Sequence, residues 1–293
     1  MKIILTNFVS MFLCLVTLAG GTLHTLPDTS KCRYSSQDVE IFNNIMPELL
    51  KIKNEPASEL IIKAAMLRLG TPYVAGTLEK TPEKLTVDLH RTDCILFVES
   101  DLALALTAKS GNPSFENFCN VLRDLRYRNG RVKGYASRLH YTTEWINQAE
   151  SRGILKDMDK TWKCAVWDKT FSFMSTHPSR YKQLSAGKGH AEQLRRIEMA
   201  ESSLNKLKLY YIPKRMVPDY LDKLKSGDII FLCSSIKGLD IAHVTICYKT
   251  DKKTTFIDAS MRAEKVVIEP ISLVEYINSR KSISGIKVAR AIF

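Results

Sequence analysis

The chain has 293 residues, of which 45% are apolar and 25% are charged. These proportions are typical of a globular protein and exclude a disordered or collagen-like chain. The 43 Lys and Arg exceed the 31 Asp and Glu, so the formal net charge is +12. Because no nucleic-acid-binding motif accompanies this charge, we expect no nucleic acid partner. A solvated basic face explains the charge as well as an acidic ligand does.

The N-terminus has the layout of a secretory signal peptide. Lys2 precedes an apolar stretch that is densest over 8–18, and small residues follow at 19–21. We therefore predict a signal peptide over 1–23 and export to the periplasm or the medium, with an uncleaved anchor as the alternative. No other long apolar run occurs in the sequence, so no further membrane contact is expected.

Apolar spacing predicts helices in the first two thirds of the chain. Ser58 and Thr92 stand where two of these helices would begin, and Gly70 stands where one would end. The predicted helices cover 36–52, 59–69, 93–108 and most of 115–209, and the last clear apolar face consists of Leu194, Ile197, Leu204 and Leu207.

The last third of the chain has the β-branched and alternating pattern of strands. Helices first and strands last, without β-α-β alternation, predict an α+β fold with an antiparallel sheet. We expect one domain over 24–293, enlarged by a helical insertion at about 112–210. The predicted strands cover 228–233, 242–248, 254–259, 265–268 and 286–291.

The seven cysteines do not form a metal motif. Cys14 lies in the predicted leader, and the other six contain no C-x-x-C pair; H-E-x-x-H is also missing from the sequence. We therefore expect no metal site and no cofactor. Export permits disulfides, but six cysteines are too few for a disulfide scaffold of this length. The six are Cys32, Cys94, Cys119, Cys164, Cys233 and Cys247.

Cys94 has the most informative surroundings, within R-T-D-C-I-L-F-V-E-S. It falls in the first turn of the predicted helix 93–108, where exposed N–H groups and the helix dipole favour an anion such as a thiolate. A free cysteine elsewhere is more often a small buried hydrophobe. Cys94 therefore needs a partner before it predicts a nucleophile.

His243 is the partner that the strand pattern suggests. If Thr250 and Asp251 form the centre of the turn between two predicted strands, His243 lies directly opposite Asp258. Opposed residues have Cβ atoms about 5 Å apart on one face of the sheet. Asp258 would then hold the imidazole in the tautomer that accepts a proton from Cys94. A slip by one residue would turn Asp258 to the other face, and a purely structural histidine is the alternative.

These motifs together resemble a known family. A cysteine at a helix start preceded by Asp, an upstream P-Y-V-x-G, a G-D-I-I strand and a downstream H-V-x-I resemble the NlpC-type branch of the papain-like cysteine hydrolases. From about residue 71 to the C-terminus, the chain is more closely similar to a bacterial N-acetylmuramoyl-L-alanine amidase-like family. The segments that carry this similarity are T-P-Y-V-A-G-T-L-E, D-C-I-L-F-V-E-S, S-R-L-H-Y, Y-I-P-K, S-G-D-I-I and G-L-D-I-A-H-V.

The resemblance implies a papain-like core, in which the nucleophile helix packs on an antiparallel sheet. It also implies cysteine-dependent hydrolysis of an amide bond in peptidoglycan fragments (muropeptides). Matching positions make Cys94 the nucleophile, His243 the general base and Asp258 the third member, where many relatives would carry His. Tyr73 matches an active-site tyrosine and is assigned to substrate or oxyanion contacts. The closer motifs imply cleavage between N-acetylmuramic acid and L-alanine.

Other interpretations stay open at this stage. The enzyme could be a γ-D-glutamyl–diamino-acid endopeptidase of the stem peptide, or the chain could be a non-catalytic wall-binding module. Arg138 could clamp a substrate carboxylate and His140 could bind sugar or peptide groups, or both could be a helix-surface arginine and a packed histidine. Asp93 could bind a substrate amine or cap the helix. Asp240 is expected to shape the turn before His243.

Overall fold

The computed structural model describes residues 26–28 and 30–293. The predicted signal peptide over 1–23, including Cys14, lies outside the described residues. Within the described ranges, no helix is both long and apolar enough to cross a membrane. All six cysteines in this part of the chain are free thiols.

Helices dominate the first two thirds of the chain and strands the last third. The α-helices are α1 (Ser36–Leu50), α2 (Ala57–Leu67), α3 (Cys94–Lys109), α4 (Phe115–Arg126), α5 (Thr142–Ser151), α6 (Met158–Thr161), α7 (Phe173–Thr176), α8 (Lys182–Ser185), α9 (His190–Leu204) and α10 (Leu273–Asn278). Short 3₁₀ helices cover Arg128–Gly130, Tyr135–Ser137, Pro178–Arg180 and Lys214–Lys223. The strands are β1 (Cys32–Arg33), β2 (Leu85–Thr86), β3 (Leu155–Asp157), β4 (Ala165–Val166), β5 (Tyr210–Pro213), β6 (Ile229–Ser234), β7 (Ile241–Lys249), β8 (Thr254–Ser260), β9 (Lys265–Ile268) and β10 (Ile283–Ala291).

The large sheet is antiparallel throughout. Its strands follow the order β4-β5-β10-β6-β7-β8-β9, and β3 pairs with β10 beside this path. β1 and β2 form a separate parallel pair. The predicted α+β class, with helices and an antiparallel sheet, is confirmed.

Helix α3 lies at the centre of the molecule. It packs against α2 and α4 and against strands β7 and β8 of the sheet. Nearly all of its residues are buried, including Phe97, Leu102 and Leu104. A helix that is apolar on all sides is stable only when it is covered on all sides. Because α3 begins at Cys94, this packing brings its N-terminal end next to the sheet.

The predicted start of α2 is wrong. The helix begins at Ala57, with Pro56 at the cap position and no side-chain cap, so Ser58 does not cap it. The fixed φ of proline suits entry into a helix, and its missing N–H costs nothing where the N–H would have no helical partner. The helix ends at Leu67 with Arg68 as its C-cap, two residues before the predicted end. Gly70 follows with φ +86°, a conformation that glycine adopts at low cost.

The hairpin between β7 and β8 has a different register from the predicted one. Phe256 lies opposite Cys247, whereas the predicted turn places it opposite Thr245, two residues earlier. The connection has four residues, 250–253, in which the Thr250 N–H donates to the Lys253 carbonyl at 2.9 Å. A longer turn moves the register by two residues and so keeps each side chain on its predicted face.

The stretch 115–209, predicted to be mostly helical, also adds strands to the sheet. It contains α4 to α9, but β3 pairs with β10 and β4 pairs with β5. Strands of two or three residues are too short to show an alternating pattern, which is why spacing did not reveal them. The division into one domain over 24–293 with an insertion at about 112–210 stays a prediction.

Candidate active site

Cys94 is the first residue of α3 and is half-buried. The helix is capped by Asp93, whose Oδ1 accepts the N–H of Leu96 at 3.0 Å. Thr92, predicted as the cap, is instead fully buried, and its hydroxyl donates to the Asp93 carbonyl at 3.1 Å. Asp93 has the extended backbone that a cap needs, and a carboxylate at this end complements the helix dipole. The cap therefore holds Cys94 at the end of a buried helix.

Tyr73 lies near Cys94 because its segment is bonded to the residues before α3. Tyr73 pairs with Thr92 in an isolated bridge, and its N–H donates to the Glu264 carbonyl at 2.9 Å. Burial raises the pKa of Tyr73 to about 12, and the charges of Cys94 and Asp93 add to this rise. The hydroxyl therefore stays protonated in the neutral range and can donate a hydrogen bond beside Cys94.

His243 on β7 and Asp258 on β8 are in direct contact. His243 Nε2 lies 2.6 Å from Asp258 Oδ2. In the observed register Asp258 is offset by two residues from the position opposite His243, so the contact runs diagonally across the hairpin. The predicted register placed the two residues directly opposite each other. The Asp258 side chain is 1% exposed and the His243 side chain 18%. Within the described residues, Asp258 Oδ1 has no hydrogen-bond partner.

The two acidic neighbours of His243 determine its protonation. Burial lowers the pKa of His243, but Cys94 and Asp258, through charge and hydrogen bonding, outweigh burial and raise the pKa to about 10. Because Nε2 is bonded to Asp258, Nδ1 is the nitrogen left for Cys94. A protonated imidazole between a sulfur and a carboxylate is the arrangement of a thiolate–imidazolium pair. The site can therefore supply a nucleophile, a proton donor and an orienting carboxylate.

A cavity of about 250 Å³ lies beside Cys94. Asp93 and Ile95, its two neighbours in sequence, line this cavity together with Arg138 and His140. Three further predicted site residues, Asp93, Arg138 and His140, therefore line the same cavity. The remaining lining residues are Gly76, Leu78, Glu79, Leu96, Glu99, Arg126, Leu139, Thr142 and Trp145.

Arg138 is not a helix-surface arginine, so that alternative is wrong. It follows the 3₁₀ helix Tyr135–Ser137 in extended backbone and is only 7% exposed. Its Nη1 donates to Glu79 Oε1 at 2.9 Å and its Nη2 to Glu83 Oε2 at 3.1 Å. The two Nη atoms that could clamp a substrate carboxylate are therefore already bound to the carboxylates of Glu79 and Glu83. Its buried Nε has no partner within the part of the chain that the structure describes.

His140 is a neutral histidine beside the cavity. Its Nε2 lies 2.8 Å from the Tyr135 carbonyl, and the two rings are 4.3 Å apart. Burial and the charge of Arg138 lower the pKa of His140 to about 3. Because Nε2 donates to the carbonyl in this neutral form, Nδ1 is an acceptor that a ligand N–H or O–H could reach.

Sequence reasoning missed Glu99 and Arg126, which also line the cavity. Arg126 Nε donates to Glu99 Oε2 at 2.7 Å, and Trp145 Nε1 donates to Glu99 Oε1 at 3.2 Å. Burial raises the pKa of Glu99, although Arg126 opposes this rise. Glu99 is one of two acidic residues, with Asp101, in the apolar run that follows Cys94. This is the signal that could have revealed it, since buried charges are rare unless they are paired.

Asp240 is structural, as the sequence suggested. It is 2% exposed, and its Oδ2 accepts the N–H of Thr143 at the start of α5 at 2.8 Å. The Ser234 N–H donates to the Asp240 carbonyl at 2.7 Å. Asp240 therefore joins α5 to the end of β6 just before His243.

Comparison with protein families gives a match over residues 63–286, to the model described as AmiA-like, N-acetylmuramoyl-L-alanine amidase-like. The chain belongs to this family. None of the curated proteins compared matches the amidase-like chain. The family places the chain among amidase-like hydrolases related to peptidoglycan.

Solved structures agree with this family. An N-acetylmuramoyl-L-alanine amidase from Bacteroides uniformis ATCC 8492 is 34% identical, with a TM-score of 0.76, and covers 81% of the amidase-like chain and 99% of its own. A Bacteroides fragilis protein put forward as a xylanase is 36% identical over 78% of the chain and 99% of its own, with a TM-score of 0.72. A Legionella pneumophila protein, 22% identical over 88% of the chain and 97% of its own, shares the fold with a TM-score of 0.62.

Proposed function

We propose that the chain is a cysteine-dependent hydrolase that cleaves the amide bond between N-acetylmuramic acid and L-alanine in muropeptides. The observation that carries this proposal is the 2.6 Å contact of His243 with Asp258 beside Cys94 at the start of α3. Membership of the amidase-like family supports the substrate class and the bond. The resemblance of the motifs to NlpC-type papain-like hydrolases supports the same chemistry.

The mechanism is acyl transfer through a thioester. The Cys94 thiolate attacks the amide carbonyl carbon, and the oxyanion accepts hydrogen bonds from the Cys94 N–H and the Tyr73 hydroxyl. His243 gives its proton to the L-alanine nitrogen as the C–N bond breaks, which leaves the acyl group on sulfur. Water then gives a proton to His243 Nδ1 while its oxygen attacks the thioester, which releases the muramic acid carboxyl group and the Cys94 thiolate.

The cavity beside Cys94 supplies groups for the rest of the substrate. Arg138 Nε is a buried donor without a partner in the described chain, and neutral His140 offers an acceptor at Nδ1. Both face the same cavity as Asp93 and Ile95. A muropeptide carries hydroxyl, amide and carboxylate groups, so a cavity with one donor and one acceptor could orient it in a single direction.

Two alternatives differ from this proposal in measurable ways. A γ-D-glutamyl–diamino-acid endopeptidase would use the same three residues on another amide bond, and a wall-binding module would not cleave at all. The xylanase description of one relative fits this cavity poorly, because glycoside hydrolysis needs two working carboxylates on either side of the bond. Here Glu79 is bound to Arg138 and Glu99 to Arg126.

The test is mass analysis of a defined disaccharide–peptide muropeptide after digestion by the purified protein. The proposal predicts the complete stem peptide with a free L-alanine amine, together with the disaccharide ending in a free lactyl carboxyl group. Cys94→Ala should lower kcat by about 10⁴-fold or more, because the nucleophile is lost. Cys164→Ala removes a thiol that lies outside the candidate site and serves as the matched control, with kcat unchanged.

Each other outcome contradicts a stated part of the proposal. A fragment that begins with the diamino acid indicates the endopeptidase. Cleavage retained by Cys94→Ala excludes the cysteine mechanism. Saturable muropeptide binding without cleavage indicates the wall-binding module, and sugar release from xylan indicates a glycosidase.

We also propose that the enzyme acts outside the cytoplasm. This proposal rests on the signal-peptide layout of residues 1–23. Fractionation of producing cells, followed by N-terminal sequencing of the recovered protein, tests it. A mature chain that begins near residue 24 in the periplasm or medium supports export, and an intact chain in the cytoplasm contradicts it.

A further inference from the structure

Three potential metal ligands meet where α1 packs on the segment that leads to Cys94. Asp38 lies in the first turn of α1, and Asp88 and His90 lie just before α3. His90 Nδ1 is 2.9 Å from Asp38 Oδ1 and 3.4 Å from Asp88 Oδ1. One ligand atom from each of the three residues can be chosen so that all lie within 4.8 Å of one another. The cluster thus joins two segments that are distant in sequence.

Asp88 supplies an independent sign that something binds here. Its side chain is only 4% exposed, and its Oδ2 accepts the Arg91 Nε–H at 2.9 Å. Its other oxygen, Oδ1, is buried and has no hydrogen-bond partner in the described part of the chain. Oδ1 is also the atom that lies beside His90 Nδ1. A buried carboxylate oxygen that accepts no hydrogen bond is costly, even with an imidazole nitrogen 3.4 Å away, and a cation bound at this point would satisfy it.

The distances suit a small tetrahedral site. With metal–ligand distances of about 2.1 Å, neighbouring ligand atoms in a tetrahedral zinc site lie about 3.4 Å apart. The separations of His90 Nδ1 from Asp38 Oδ1 and Asp88 Oδ1, 2.9 and 3.4 Å, are close to this value. The cluster therefore needs only small side-chain movements to bind an ion, and a water molecule would complete the coordination. The side chain of His90 is 24% exposed, so an ion can reach the cluster from solvent.

The ligands are already held in place by other bonds. Asp38 Oδ1 accepts the Leu89 N–H at 2.7 Å, and Asp38 Oδ2 accepts the Ser35 N–H at 2.8 Å. Arg91 orients Asp88 in the same way. Such surrounding hydrogen bonds are typical of protein metal sites, where they orient the ligands.

We propose that Asp38, Asp88 and His90 form a binding site for a divalent transition metal ion such as zinc, which fastens α1 to the segment before Cys94. One imidazole and two carboxylates suit such an ion better than they suit magnesium or calcium, which prefer oxygen ligands alone. The ion replaces the contact of His90 Nδ1 with Asp38, and any proton on Nδ1 leaves to solvent. The sequence contained no metal motif because these ligands come from two separate segments.

The proposal is tested by titration of zinc into chelator-treated, untagged protein that carries Cys94→Ala, which removes the half-buried thiol as a competing ligand. Calorimetry should show saturable binding of a single equivalent. Adding His90→Ala or Asp88→Asn should weaken this binding by about 10-fold or more, because the first removes the imidazole ligand and the second removes the negative charge of a carboxylate ligand. His190→Ala, which changes an exposed histidine at the start of α9, is the matched control and should bind as Cys94→Ala does.

A second measurement needs no ligand variant. Cobalt added to the Cys94→Ala protein should give a visible absorption band that saturates at one equivalent and that zinc removes. Absence of saturable zinc and cobalt binding overturns the proposal, as does equal zinc affinity in the His90→Ala and His190→Ala proteins. In either case His90 only links the carboxylates of Asp38 and Asp88 through its contacts at 2.9 and 3.4 Å.

Discussion

His243 is held between the sulfur of Cys94 and the carboxylate of Asp258, and its pKa is raised to about 10. The imidazole is therefore protonated at neutral pH, so in the proposed mechanism His243 first acts as an acid toward the leaving amine. It becomes a base only after that proton has left.

Asp258→Asn should shift the pH dependence of kcat/KM. The change removes a negative charge beside the imidazole, so the pKa of His243 should fall and the protonated form should be lost at lower pH. The alkaline limb of the profile should move from near pH 10 to lower pH by about 1–3 units, the range expected for one close charge. Measurement of kcat/KM between pH 6 and 11 tests whether the alkaline limb moves to lower pH.

Asp251→Asn is the matched control for Asp258→Asn. Asp251 is exposed in the turn 250–253, away from the imidazole, and its replacement should leave the limb in place. An unchanged limb in Asp258→Asn would show that the carboxylate does not govern the protonation of His243.

At the scale of elements, α3 begins at the proposed nucleophile Cys94, and Asp93 caps this end of the helix. Burial raises the pKa of Asp93, although the backbone N–H groups of the first turn oppose this rise. Burial therefore disfavours the charged carboxylate of Asp93, and the hydrogen bond that it accepts from the Leu96 N–H offsets part of this cost. Binding of a substrate amine is the other interpretation from the sequence, and the two make different predictions.

Asp93→Ala should reduce the free energy of unfolding by about 1 kcal/mol through loss of the cap. It should also lower kcat, because the first turn no longer holds Cys94. Asp93→Asn keeps an oxygen at the same place and should recover most of both losses. Urea unfolding and steady-state kinetics of the two variants provide the measurement.

Ser114→Ala is the matched control, since Ser114 caps α4 by accepting the Asn117 N–H at 3.1 Å away from the candidate site. It should lose similar stability without loss of kcat. If Asp93→Asn instead keeps its stability and raises KM strongly, Asp93 binds a substrate amine and is more than a cap.

At the scale of the whole molecule, Lys287 joins the stretch 115–209 to the sheet. Its Nζ donates to Asp157 Oδ2 at 3.2 Å, to Asp159 Oδ2 at 3.1 Å and to the Tyr210 carbonyl at 2.6 Å. Burial lowers the pKa of Lys287, but the two carboxylates outweigh it and raise the pKa. The lysine therefore stays charged in the interior, whereas burial raises the pKa of its partner Asp159 to about 7 even though Lys287 opposes this rise.

Lys287→Met should lower the free energy of unfolding by about 3–5 kcal/mol, because it leaves buried carboxylates without their counter-ion. Urea unfolding followed by circular dichroism measures the loss. Lys252→Met, in the exposed turn 250–253, is the control and should change stability little. A loss below about 1 kcal/mol for Lys287→Met would mean that water or protonation replaces the ion pair.

Local patterns in the sequence were sufficient for the main elements and for two of the candidate site residues. The apolar run after Cys94 predicted α3, and β-branched alternation predicted β6 to β9 within one or two residues. Cys94 and His243 stood out because a helix start and a strand start are visible in the local sequence. The α+β class followed from the order of these elements.

Only the tertiary structure decided which distant groups meet. The four-residue turn at 250–253 set the register, so the contact of Asp258 with His243 is diagonal. Burial of Arg138 between Glu79 and Glu83, and the meeting of Asp38 with Asp88 and His90, have no local signature. The physical reason is that spacing encodes which face of an element is apolar, whereas long-range polar contacts depend on turn length and on how those faces pack.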